Sequence, residues 1–143
     1  MDLSSNVSWR DGMTFDAELD GFKFAIDADP KFGGKEAGPK PKGLTLTSLA
    51  GCTAMDVISI LRKMKEEPTR FDVQASGDLT EEHPRRFGRI VVHYTFEGEG
   101  LDEGKLRKAV SLSEQRYCGV FATLRGNVEL ETVIELNGQV LQD

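Results

Sequence analysis

The two cysteines are the residues of this chain best suited to redox chemistry. Cys52 lies in an apolar run, residues 44–61, and Cys118 ends the run of residues 113–118; both runs are predicted to be helical. The 65 residues between the cysteines exclude a CxxC redox loop and the ligand spacing of a zinc knuckle. Two thiols distant in sequence can still meet between two packed helices, and such a pair would support thiol oxidation.

Composition limits the kinds of partner. The chain has 143 residues, 38% of them apolar, and a net charge of −6, which predicts one globular domain over residues 1–143 and argues against nucleic-acid and membrane partners. No segment is expected to reach the roughly 20 apolar residues of a membrane span, and the N-terminus does not resemble a signal peptide. We therefore expect a cytoplasmic location, where cysteines are free thiols or a working redox pair.

Hydrophobic periodicity predicts an α+β fold with the order βββ–α–ββ–α–α–β and mainly antiparallel sheets. Asp20-Gly21 between alternating runs is typical of a hairpin turn. The predicted elements are a three-stranded meander over residues 5–27, a long loop over 28–43, a helix over 44–66, strands over 70–81 and 87–97, a helix from Asp102 to about Cys118, a helical turn over 120–124 and a strand over 128–136.

Three stretches carry a resemblance to a known family. They are residues 38–57, which contain Leu-Ala-Gly-Cys-Thr-Ala-Met-Asp-Val around Cys52, residues 113–124 around Cys118, and the Arg-Asp-Gly turn at 10–12. With one cysteine in each long helix, the chain resembles the OsmC/Ohr family of peroxide-detoxifying proteins along essentially its whole length. The resemblance implies an intertwined homodimer, with sheets from both chains wrapped around two central helices and active sites at the interface.

The same resemblance implies a thiol peroxidase that reduces organic hydroperoxides. A thiolate is needed to attack the O–O bond, and a free cysteine is mostly protonated at neutral pH. The resemblance assigns Cys52 as the attacking thiol, Arg10 as the cation that keeps it ionised, and Cys118 as the thiol that resolves the sulfenic acid into a disulfide. It implies no cofactor, and a dithiol or lipoyl-type reductant outside the chain.

One position departs from the family pattern. A glutamate that pairs with the active-site arginine usually follows the proline of the first segment, but Lys42 and Gly43 stand there in this chain. Glu36, in the same loop, is the candidate substitute. Glu114 and Arg116 are interpreted as helix-surface residues.

Three alternatives remain open from the residues. The chain could be a non-enzymatic dimer that binds an apolar ligand and has inert cysteines, or a redox-responsive dimer whose disulfide changes stability without turnover. A zinc site could use Cys52, Cys118, His83 and His93, although no spacing matches a zinc motif.

Overall fold

The computed structural model describes residues 2–143 and divides the chain into two compact units, Met1–Thr45 and Leu46–Asp143. The predicted α+β fold is confirmed. The elements are β1 (Ser5–Asp11), β2 (Thr14–Leu19), β3 (Phe22–Ile26), α1 (Pro41–Lys63), β4 (Arg70–Leu79), β5 (Phe87–Glu97), α2 (Glu103–Leu112), α3 (Gly119–Leu124), β6 (Glu129–Leu136) and β7 (Gln139–Val140).

The N-terminal unit contains the predicted meander, an antiparallel sheet of β1, β2 and β3. Asp20 and Gly21 both have positive φ angles, 53° and 82°, as a type I′ hairpin turn requires. Val7, Ala17 and Phe24 are aligned across the three strands, so the apolar residues share one face of the sheet. Ala17 is buried on this face, whereas Phe24 is exposed.

The loop between β3 and α1 is held by one buried carboxylate. Asp27 accepts hydrogen bonds from the backbone N–H groups of Ala28, Lys35 and Ala37 and from the hydroxyl of Thr14. These donors outweigh the effect of burial and lower the pKa of Asp27 to about 2. The segment predicted as a loop is therefore tied to Asp27 by hydrogen bonds from residues as far along the chain as Ala37.

Helix α1 begins and ends three residues earlier than predicted, at Pro41 and Lys63. With 23 residues and an 18-residue window of mean hydropathy 1.6, α1 is long and apolar enough to cross a membrane, although the sequence analysis expected no such segment. The core helix of a soluble protein meets the same criterion. Leu49, Val57 and Leu61 are completely buried in this structure, so packing in the core accounts for part of the apolar composition of α1, in which 22% of this 18-residue window is buried.

The C-terminal unit contains a four-stranded sheet in the order β4–β5–β6–β7. The predicted hairpin of β4 and β5 is confirmed, but β5 and β6 are parallel and the short strand β7 was not predicted. The parallel pair follows from the helical crossover between β5 and β6, which returns the chain to the other end of the sheet. The main core is formed by Leu49, Val57, Leu61, Ile90, Val92, Tyr94, Phe96, Leu106, Ala109, Val110, Cys118, Phe121 and Ile134.

The prediction that Cys118 lies in the second long helix is wrong. Asp102 caps α2 as predicted, but α2 ends at Leu112 and continues as a π-helical turn, Ser113–Tyr117. The N–H of Cys118 donates to the carbonyl of Ser113, five residues back, and Cys118 itself has an extended backbone. Cys118 then caps α3, so it lies at a break between helices rather than within one.

Candidate functional site

The fold brings the two cysteines together in the C-terminal unit. Both are free thiols, and their Sγ atoms lie within 4.8 Å of each other. Cys118 is only 3% exposed and belongs to the main core, whereas Cys52 on α1 is partly exposed and packs against that core. The two thiols, which the sequence left free to meet, therefore lie together in this structure, and the two sulfurs differ in their access to solvent.

Burial dominates the electrostatics of Cys118. Burial, with a smaller contribution from the neighbouring Cys52, raises the pKa of this thiol to about 11. The backbone N–H of Phe121 donates to the sulfur at 3.3 Å and partly opposes the shift. Cys118 is consequently a protonated thiol at neutral pH.

Asp56 is a site residue that the sequence analysis missed. A carboxylate oxygen of Asp56 lies within 4.8 Å of both sulfurs. Its Oδ2 accepts a hydrogen bond of 3.0 Å from the hydroxyl of Ser113. The signal was present in the sequence, because Cys52 and Asp56 are four residues apart on α1 and side chains at this spacing share a helix face.

A network of buried polar side chains runs from this cluster to the sheet. The hydroxyl of Ser113 is 2.7 Å from that of Thr53, which is 2.9 Å from the phenol oxygen of Tyr94. Tyr94 donates to the carboxylate of Glu114 at 2.8 Å, and Thr132 on β6 donates to the same carboxylate. Helix α1, the π-helical turn and two strands are thereby linked through hydrogen bonds in the core.

The assignment of Glu114 to the helix surface is wrong. The residue is 7% exposed, and burial raises the pKa of its carboxyl group despite the hydrogen bonds from Tyr94 and Thr132. Burial, together with the neighbouring Glu114, raises the pKa of Tyr94 far above its ordinary value. The π-helical turn explains the difference from the prediction, because it changes which side chains of this segment point inward.

Arg10 and Glu36 belong to the N-terminal unit. The guanidinium of Arg10 donates from Nε and Nη2 to the two carboxylate oxygens of Asp16, and this contact raises the pKa of Arg10. Glu36 is exposed and has a φ of 57°. The role of Arg10 in ionising Cys52 and the role of Glu36 as its partner stay predictions.

The side chains that could together bind a metal ion differ from the zinc ligands considered in the sequence analysis, which included two histidines. Within residues 2–143, the one group of at least three His, Cys, Asp or Glu side chains with converging ligand atoms is Cys52, Asp56 and Cys118. The Nε2 atom of His93 instead lies 3.7 Å from Oε1 of Glu135 on the adjacent strand β6. Neither histidine belongs to the cysteine cluster.

Comparison with known proteins establishes the family. The family model described as OsmC-like protein matches residues 33–133, which include both cysteines. The chain belongs to the OsmC-like family. Protein YhfA of Escherichia coli strain K12 is 32% identical over 129 residues, which cover 90% of this chain and 93% of YhfA.

Solved structures agree with the fold. A hypothetical protein from Aquifex aeolicus VF5 has a TM-score of 0.84 and 25% identity, covering 96% of this chain and 97% of its own. An organic hydroperoxide resistance protein from Elizabethkingia anophelis has a TM-score of 0.74 and 15% identity, covering 96% and 97%. At that identity the second likeness concerns the OsmC-like fold alone.

Proposed function

We propose that this OsmC-like protein is a thiol peroxidase that reduces organic hydroperoxides. The observation that carries the proposal is the pair of free sulfurs within 4.8 Å of each other, one partly exposed and one buried. Membership of the OsmC-like family, whose fold the organic hydroperoxide resistance protein of Elizabethkingia anophelis shares, fits a role in the response to peroxides. An external dithiol or lipoyl-type reductant and a cytoplasmic location complete the proposal.

The difference in exposure supports Cys52 as the attacking thiol. A peroxide reaches Cys52, which is partly exposed, more readily than Cys118, which is only 3% exposed. The thiolate of Cys52 attacks one oxygen of the O–O bond and becomes a sulfenic acid, while the other oxygen takes a proton and leaves as an alcohol. The apolar core around both sulfurs favours alkyl hydroperoxides over hydrogen peroxide.

Cys118 then resolves the sulfenic acid. Its sulfur attacks the sulfur of Cys52, the disulfide forms, and the hydroxyl group leaves as water with the proton of the Cys118 thiol. The carboxylate of Asp56 lies within 4.8 Å of both sulfurs and can carry that proton. A disulfide needs the sulfurs about 2.05 Å apart. Cys118 has an extended backbone between two helical segments, so disulfide formation requires its side chain and that of Cys52 to move towards each other.

The proposal predicts a defined stoichiometry. Reduced wild-type protein should consume one equivalent of cumene hydroperoxide per chain without reductant, lose two free thiols and contain a Cys52–Cys118 disulfide. Stopped-flow kinetics, thiol titration and peptide mass spectrometry measure these quantities. Hydrogen peroxide serves as the comparison substrate and should react more slowly. Consumption no faster than by free cysteine, or oxidation without this disulfide, would contradict the proposal.

A groove in the C-terminal unit favours a second candidate function, the binding of an apolar ligand by a protein with inert cysteines. The groove has a volume of about 400 Å³ and lies between α1 and β4. It is lined mainly by small and apolar side chains, namely Leu46, Thr47, Ala50, Gly51, Ala54, Val73, Gln74 and Ala75. This candidate predicts no peroxide consumption in the stopped-flow experiment above.

We further propose that two copies form the intertwined homodimer. Several large apolar side chains are exposed on the single chain, including Trp9 at 68%, Phe22 at 75% and Met55 at 74%. A Cβ built at Gly51 meets no neighbouring atom within 4 Å, so this part of α1 allows a close approach of another backbone. Exposed apolar groups of this size are typical of protein interfaces.

The dimer makes a prediction for α1. Met55→Glu should increase the dissociation constant of the dimer at least about 10-fold, because a carboxylate would be buried without a partner. Sedimentation velocity over a range of concentrations measures the effect. Ser111→Glu adds the same charge at an exposed position of α2 and serves as the control. A wild-type protein that sediments as a monomer, or a Met55→Glu dimer as tight as the control, would contradict the proposal.

A further inference from the structure

We propose that Cys52, Asp56 and Cys118 bind a thiophilic divalent cation when both thiols are reduced, with Zn²⁺ as the expected ion. The inference does not depend on peroxidase activity, because it requires only the reduced cysteines and the carboxylate. A Cys52–Cys118 disulfide would remove both sulfur ligands, so the site would exist in the reduced protein alone.

The geometry is close to that of a zinc site. The two Sγ atoms and a carboxylate oxygen of Asp56 all lie within 4.8 Å of one another. Zinc binds sulfur at about 2.3 Å and carboxylate oxygen at about 2.0–2.2 Å, which places two tetrahedral sulfur ligands about 3.8 Å apart. A contraction of about 1 Å or less, achievable by side-chain rotation, would bring the three ligands to these distances.

Two secondary-structure elements hold the ligands. Cys52 and Asp56 occupy one face of α1, four residues apart, and Cys118 follows the π-helical turn. The hydroxyl of Thr53 is 2.7 Å from that of Ser113, which ties α1 to this turn beside the ligands. The three donors are thus placed by the fold before any ion binds, which reduces the cost of assembling the site.

Outer hydrogen bonds already orient two of the ligands. Ser113 donates its hydroxyl to Asp56 Oδ2 at 3.0 Å, and the N–H of Phe121 donates to Cys118 Sγ at 3.3 Å. Hydrogen bonds of this kind are the usual support of metal ligands, and their loss commonly weakens metal binding. The Ser113 hydroxyl is itself held by Thr53, so the carboxylate is oriented by a connected set of groups.

The donor types select the ion. Two thiolates and one carboxylate suit Zn²⁺, whereas Mg²⁺ and Ca²⁺ prefer sites made of oxygen alone. Three anionic ligands around one divalent ion leave a single net negative charge, which is far easier to accommodate beside a core than three uncompensated anions. Three protein ligands also leave the fourth tetrahedral position of zinc to water, as is common where zinc is not purely structural.

The experiment titrates the full-length reduced protein with Zn²⁺ in competition with a chromophoric chelator. We expect one Zn²⁺ per chain with a Kd at or below about 1 µM, weaker than four-ligand structural sites. Co²⁺ in place of Zn²⁺ should give a thiolate-to-cobalt charge-transfer band. Asp56→Asn should weaken Zn²⁺ binding at least about 10-fold, and Cys52→Ser or Cys118→Ser should weaken it more and reduce the band.

Matched controls separate this site from other ligands. Asp72→Asn changes an exposed carboxylate on β4, and His93→Gln removes a histidine outside the cluster; both should leave the affinity for Zn²⁺ unchanged. Circular dichroism confirms that each variant is folded. Absence of stoichiometric binding to the wild type, or equal affinity of wild type and Asp56→Asn, would overturn the proposal. Binding in a protein that fails to consume hydroperoxide would support the metal site while contradicting the proposed peroxidase function.

Discussion

Replacing Cys52 by serine is expected to slow the consumption of cumene hydroperoxide at least about 1,000-fold, to the background rate, because a serine hydroxyl is a far weaker nucleophile than a thiolate at neutral pH. Serine is close to cysteine in size, and Cys52 is only partly buried, so the fold should be retained. Stopped-flow measurement on reduced protein gives the rate. Thermal unfolding verifies that the variant is folded.

Cys118→Ser is the matched control, since it changes the same atom in the other thiol. It should keep the first reaction with hydroperoxide, because Cys52 remains, but it should lose turnover with a dithiol reductant or depend on direct reduction of the sulfenic acid. Mass spectrometry should then detect Cys52 as sulfenic, sulfinic or sulfonic acid. If Cys52→Ser reacts as fast as wild type, or if the two variants are equally impaired in the first reaction, the assignment of roles is wrong.

Among the residues of the buried polar network, Glu114 is expected to have the largest effect on the free energy of unfolding when it is replaced. Glu114→Ala is expected to lower the free energy of unfolding by about 2–3 kcal/mol, because it removes a hydrogen-bonded buried group and deprives the hydroxyls of Tyr94 and Thr132 of their acceptor. Glu114→Gln keeps the shape and an acceptor oxygen, so its cost should be much smaller. Urea denaturation in the presence of a thiol reductant measures both values.

The pH dependence of the free energy of unfolding of Glu114→Gln tests whether Glu114 is held as a buried acid. Burial raises the pKa of Glu114 above the ordinary value of 4.5, so the folded protein holds this proton more tightly than the unfolded chain. The stability associated with the protonated form is therefore complete below the ordinary pKa and is lost as the pH rises through the raised value. Glutamine does not ionise, so Glu114→Gln should gain stability relative to wild type as the pH rises from 4 towards 8.

Glu99→Gln provides the control for this titration, because Glu99 is an exposed residue between β5 and α2. The difference in the free energy of unfolding between Glu99→Gln and wild type should vary little over the same pH range. The prediction fails if the difference in the free energy of unfolding between Glu114→Gln and wild type stays constant as the pH rises, or if the variant becomes relatively less stable. Either result would show that Glu114 is not held as a buried acid.

Local patterns accounted for much of the fold. The alternation of Ile90, Val92 and Tyr94 predicted β5, and all three are completely buried on the same face of the sheet. Asp20-Gly21 predicted the hairpin between β2 and β3 because these residues accept the positive φ angles that the turn needs. The parallel pairing of β6 was not predictable in this way, because a strand's own alternation does not specify the direction of its neighbour.

The end of α2 shows a limit of periodicity. The apolar spacing up to Cys118 resembles that of a continuous helix, yet the chain forms a π-helical turn from Ser113 to Tyr117. Hydrogen bonds from Ser113 to α1 and from Tyr94 to Glu114 involve residues distant in sequence, and they lie in the same segment as this turn. A pattern within one segment contains no information about such partners.

The sequence by itself determined the order of the elements up to β6 and the family resemblance, and it contained the four-residue spacing that puts Cys52 and Asp56 on one helix face, because each depends on residues close together in the chain. Only the tertiary structure decided that Cys118 lies within 4.8 Å of Cys52, that Glu114 is buried, and that Ser113 orients Asp56. Those outcomes depend on how α1 packs against segments about 60 residues further along the chain, and packing of this kind is set by the shapes and hydrogen-bonding groups of the whole core.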